Sequence, residues 1–143
     1  MKIVLLLVTL SINCYLLVRK KDLASKEFLP TLSYIALFLA LFFGAIAAIF
    51  GDVALDKAVE LGFNSNRLES HQELAQITLL MMFLLAVWQG VYRWNNKTFN
   101  VATNWSYLAI CIATSAALLI TAYLGGELVY SYGVNVKNVS TQI

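Results

Sequence analysis

Four stretches of this chain, residues 3–18, 32–50, 74–92 and 105–124, contain no Asp, Glu, Lys or Arg. The hydrocarbon core of a bilayer is about 30 Å thick and takes about 20 apolar residues in a helix. No water reaches the backbone there, so each stretch must bond its own N–H and C=O groups, which a helix does. The pattern predicts an all-α integral membrane four-helix bundle forming one domain over residues 1–143. Composition agrees: 60% of residues are hydrophobic and 13% charged. That leaves too few charges to cover a globule in water, where about a quarter of residues are charged.

The first stretch has a signal-like form, a single Lys followed by an apolar run. No small-x-small cleavage site follows it, and Asn13 before Cys14 fits a lipoprotein site badly. The expectation is an uncleaved anchor. Net charge is +2, and no run of Lys and Arg is dense enough to neutralise successive phosphates of a nucleic acid.

Charge distribution sets the expected orientation. Arg19, Lys20, Lys21 and Lys26 lie between the first two spans, and Arg93 and Lys97 between the last two. Lys2, Lys57, Arg67 and Lys137 are spread over two tails and a longer loop. Short loops rich in Lys and Arg stay in the cytoplasm. This places both termini and residues 51–70 on the outer, periplasmic side of a bacterial inner membrane. Trp88, Trp94 and Trp105 fall near the cytoplasmic ends of spans three and four, where they are expected to anchor at headgroup depth.

Helices in lipid associate by close backbone approach, which small residues allow. Span two carries Ala36, Ala40, Gly44 and Ala48; span four carries Ala109, Ala113, Ala117, Thr121 and Gly125; span three adds Ala86 and Gly90. The expected core is spans two, three and four, with span one at the periphery. Cys14 and Cys111 lie in different spans and read as small buried hydrophobes.

Polar residues gather at the outer end. Asp52 follows span two, Ser70, His71, Gln72 and Glu73 precede span three, and Gly125, Gly126 and Glu127 close span four. Antiparallel packing brings Asp52, His71, Glu73 and Glu127 to one depth. One reading is structural: Glu69 or Ser70 caps the third helix, Glu73 suits its positive end, and the glycine pair gives a sharp left-handed exit. The other is a ligand site. His71, the sole histidine, would ligate haem iron or a metal, with Asp52 or Glu127 holding its second nitrogen. A b-type haem would take its other ligand from a partner or second copy. Zinc would need Asp52, Glu73 or Glu127 as oxygen ligands. No phosphate loop, nucleophile motif, H-E-x-x-H or C-x-x-C-H is present, so the sequence points away from an enzyme.

The run Gly-Gly-Glu-Leu-Val-Tyr-x-x-Gly-Val at 125–134 resembles the C-terminal signature of the bacterial membrane family called domain of unknown function 2231. His71-x-Glu73 before an apolar helix is similar to that family's H-x-E at its third span, and the four-span plan agrees. Members often open their first span with a H-P-x-x-V-H-F-P-like segment. Here that region reads Met1-Lys2-Ile3-Val4-Leu5-Leu6, without histidine. The resemblance implies a respiratory or redox setting at the cell envelope and no particular reaction. The expected role is a scaffold or anchor within a larger membrane assembly. The expected partners are lipid and other membrane subunits or further copies of the chain. The alternative role is a haem-binding electron carrier built on His71. A transporter ranks last, because the span interiors hold no charge.

Overall fold

Backbone groups without water bond along the chain, and the apolar runs accordingly lie in four α-helices. The computed structural model describes residues 2–60 and 65–130, and the side chains of all of these except 2, 55–60, 65–68, 128 and 129. Helix α1 spans Lys2–Val18, α2 Phe28–Glu60, α3 Ser65–Trp94 and α4 Val101–Tyr130. The fold is an all-α membrane bundle. Three apolar segments are long enough to cross a bilayer: Phe28–Ala54, Glu69–Trp94 and Val101–Glu127. With 17 residues, α1 rises only about 25 Å, short of a full hydrocarbon core.

The helices outrun the predicted spans, because hydropathy marks lipid and not helix ends. Helix α2 continues past Gly51 and Asp52, and α3 starts at Ser65. Glu69 and Ser70 therefore do not cap α3, and Glu73 is not in its first turn. Helix α4 runs straight through Gly125 and Gly126 to Tyr130, so the expected left-handed exit does not occur. Two glycines inside a helix cost about 1 kcal/mol each. A close contact at Gly125, described below, gives the first of them a use.

Each helix packs against two neighbours, in the cyclic order α1, α2, α3, α4. This corrects the expectation that α1 is peripheral: α1 lies against both α2 and α4, whereas α2 and α4 are not neighbours. The reason is visible on α1 itself. It buries Leu6, Thr9, Asn13 and Leu16, spaced by three and four residues, so one stripe faces the interior. Asn13 holds its neighbours by polar contacts and not by small size.

The outside is apolar. Phe38, Phe42 and Ile49 of α2 are exposed, as are Leu80, Phe83 and Leu84 of α3. An exterior of this kind suits contact with lipid.

At the end carrying Arg19 to Glu27 and Asn95 to Asn100, here the basic end, two short loops are tightly specified. Lys20 and Asn96 adopt positive φ, 53° and 52°. After α1, Lys21 N–H donates to Leu16 O at 2.9 Å and Lys20 N–H to Leu17 O at 2.9 Å. After α3, Lys97 N–H donates to Tyr92 O at 2.9 Å and Asn96 N–H to Arg93 O at 3.2 Å. Both are Schellman endings with a residue other than glycine in the left-handed seat. Asn100 then caps α4, its Oδ1 accepting from Thr103 N–H at 2.8 Å. Asp22 ties the loops together: its Oδ1 accepts from Ala24 N–H and from Phe99 N–H, each at 3.0 Å.

Candidate functional site

At the opposite end, the last turns of α2 and α4 meet the early turns of α3. Gln72 Nε2 donates to Asp52 Oδ1 at 3.0 Å, joining α3 to α2. His71, one residue earlier, turns toward α4. A Cβ built on Gly125 would lie 3.0 Å from His71 Cε1 and 3.6 Å from Nε2. The imidazole therefore rests directly on the α4 backbone at a position that only glycine accommodates without a shift. Glu127, two residues on, is half-buried, while Asp52 and Glu73 are exposed.

The structure thus brings together His71 with Gly125 and Asp52 with Gln72 at one rim. It does not assemble a metal centre: among the described residues no three His, Cys, Asp or Glu side chains are placed to hold an ion. A zinc site needs three or four such ligands. What the described residues bring to this rim is one imidazole, seated on a helix backbone.

A second set of polar groups runs through the interior, and the sequence reading missed it. Ser33 Oγ donates to Asn13 Oδ1 at 2.7 Å, and Thr9 Oγ1 lies 3.0 Å from Leu5 O of its own helix and 3.3 Å from Ser33 O of α2. Asn13 Nδ2 points to Cys111 Sγ at 4.0 Å. These contacts join α1, α2 and α4. Nearer the basic end, Tyr107 Oη donates to Gln89 Oε1 at 2.9 Å, and Gln89 Nε2 donates to Leu23 O at 2.6 Å. Leu23 N–H in turn donates to Asn104 Oδ1 at 3.1 Å. Thr9, Asn13, Ser33, Gln89 and Tyr107 are all fully buried. In lipid an unbonded amide or hydroxyl costs several kcal/mol, so the side chains bond one another. The findable signal was an amide inside an apolar run, at Asn13 and Gln89.

Aromatic rings enclose this second network. Tyr92 and Phe99 lie 4.7 Å apart between centroids, Phe99 and Tyr107 5.5 Å, and Trp88 and Tyr107 5.9 Å. Trp88 is half-buried and packs against the core through these rings. Trp94 and Trp105 are exposed, by 86% and 59%.

The small-residue stripes divide between inside and outside. On α2, Ala36, Ala40 and Gly44 are buried and Ala48 half-buried. On α4, Thr121 is buried and Ala117 and Gly125 half-buried, but Ala109 and Ala113 are exposed. The cause is geometric. Four residues turn a helix by one revolution plus about 40°, so a stripe at every fourth position winds around to the other side. Exposed Ala102, Ser106, Ala109, Ala113 and Ala116, spaced alternately by four and three, form a straight seam on the outside of α4.

A family model described as predicted membrane protein (DUF2231) matches residues 1–138. No curated protein and no solved structure matches the chain.

Proposed function

The chain belongs to the DUF2231 family of predicted membrane proteins, and on that footing we propose that it is a non-catalytic subunit that anchors or scaffolds a larger assembly. The observation that carries this reading is the outer seam of α4. A lipid-facing helix with no partner gains nothing from a line of alanines, whereas a neighbouring transmembrane helix can approach its backbone closely there. The interior supports the same role. Its polar side chains are engaged with each other across helices, which suits a rigid support better than a conduit.

The assembly we have in mind lies in a bacterial inner membrane, with the basic end in the cytoplasm and the His71 rim outside. Six basic side chains at the basic end favour that orientation. An electron-transfer assembly fits the redox setting implied by the family resemblance.

The test is native electrophoresis of the full chain extracted from its own membranes in mild detergent. The expected result is migration with a larger complex. Ala109→Leu combined with Ala113→Leu releases the chain from that complex. It leaves the bundle's own stability within about 0.5 kcal/mol, as for other exposed sites. A wild-type chain that runs as a lone monomer, or a double variant that stays in the complex, contradicts the proposal.

A further inference from the structure

The basic end, its loops together with the last turn of α3, carries six basic side chains against two carboxylates, Asp22 and Glu27, an excess of four positive charges. Neither carboxylate neutralises the rim evenly. Asp22 turns its Oδ1 to two backbone N–H groups, and its Oδ2 is buried. Glu27 pairs with Lys21 at 2.6 Å, the one ion pair among the described residues at this end.

Of the remaining cations, Lys26 and Arg93 are held where the last turn of α3 meets the start of α2, and Lys97 lies in the loop that follows α3. Lys26 Nζ donates to Asn96 Oδ1 at 2.5 Å. Arg93 donates to Ser25 O and, at 2.7 Å, to Thr31 Oγ1, and it stacks on the Tyr34 ring at 5.3 Å. Lys97 is the residue after Asn96 and is exposed. Asn96, Ser25 and Thr31 are neutral partners, so they hold Lys26 and Arg93 in place without cancelling their charge. Close by in the chain are two exposed rings: Phe28, 77% exposed, two residues after Lys26, and Trp94, 86% exposed, next to Arg93. Indole rings settle at headgroup depth. A ligand at this end therefore finds held positive charge and exposed apolar rings within a few residues of each other.

We propose that Lys26, Arg93 and Lys97 form a seat for the phosphate of an anionic phospholipid, whose acyl chains descend past Phe28 and Trp94. The shared chemistry is a phosphate anion. The apolar flank selects the lipid over a free anion, and the held cations select an anionic headgroup over a zwitterionic one. The seat does not depend on which subunits the chain anchors.

The experiment is native mass spectrometry of the full chain in neutral detergent. It is supplied in turn with phosphatidylglycerol, with phosphatidylcholine of the same acyl chains, and with inorganic phosphate. Phosphatidylglycerol is retained and phosphatidylcholine is not. Lys26→Gln and Lys97→Gln each lower that retention about fivefold, the equivalent of about 1 kcal/mol per basic side chain near an anionic surface. Both positions are exposed, and Gln at 26 still has an N–H to donate, so the lipid-free melting temperature stays at the wild-type value. Equal retention of the two lipids overturns the proposal, as does retention unchanged in both variants. Inorganic phosphate held with the same dependence on Lys26 and Lys97 overturns the lipid assignment.

Discussion

Gln89→Leu destabilises the purified bundle by about 2–4 kcal/mol, the largest loss expected of any single change discussed here. Leucine matches the volume but leaves Tyr107 Oη and Leu23 O without their present partner. Each stranded buried group costs about 1–3 kcal/mol, and polar contacts between membrane helices sit at the low end of that range. The partner change separates polar loss from packing loss. Tyr107→Phe removes one of the two stranded groups. The double variant is therefore less destabilised than the sum of the two single changes, because residues that share a bond do not add. Thermal or denaturant unfolding of the four proteins in one detergent measures the cycle. Strict additivity would show that the Gln89–Tyr107 bond carries no stability.

Gly44 gives a contrast in sign. A Cβ at this position would meet Leu79 Cδ2 at 3.4 Å, an ordinary contact. Gly44→Ala therefore fits, and it gains up to about 1 kcal/mol from the better helix propensity of alanine. Gly44→Leu must drive three further carbons into space that Leu79 already fills, at a cost of about 1–3 kcal/mol. The two melting temperatures should fall on opposite sides of the wild-type value. A leucine variant as stable as wild type would mean that α2 and α3 are not held together at this crossing.

Much of the fold was legible because lipid is a simple solvent. The absence of charge over four runs requires helices, and short loops require antiparallel neighbours. Those two facts already bring His71 and Gly125 to the same end. What stayed hidden depends on rotation and on distant partners. Ala109 and Gly125 look equivalent in the sequence, yet the winding of an every-fourth stripe puts one outside and the other under an imidazole. Asn13 reads as one stray amide until Ser33 of α2 and Cys111 of α4 are placed beside it. Lys20 gives no sign of a left-handed conformation, which the hydrogen bonds of the loop impose on it. Asp52 ends an apolar run without ending a helix, so the continuation of α2 to Glu60 could not be read from hydropathy.

The central claim is that the bundle crosses the bilayer, with the His71 rim and the basic loops on opposite sides. Site-specific thiol labelling tests it directly. Glu69→Cys and Lys97→Cys are made separately with Cys14, which is exposed, replaced by alanine, and with the buried Cys111 retained. Intact cells are treated with a charged, membrane-impermeant maleimide, and the treatment is repeated after permeabilisation. The account predicts that the thiol at position 69 reacts in intact cells and that the thiol at position 97 reacts only once the membrane is opened. Reaction of both thiols from the same side would contradict it.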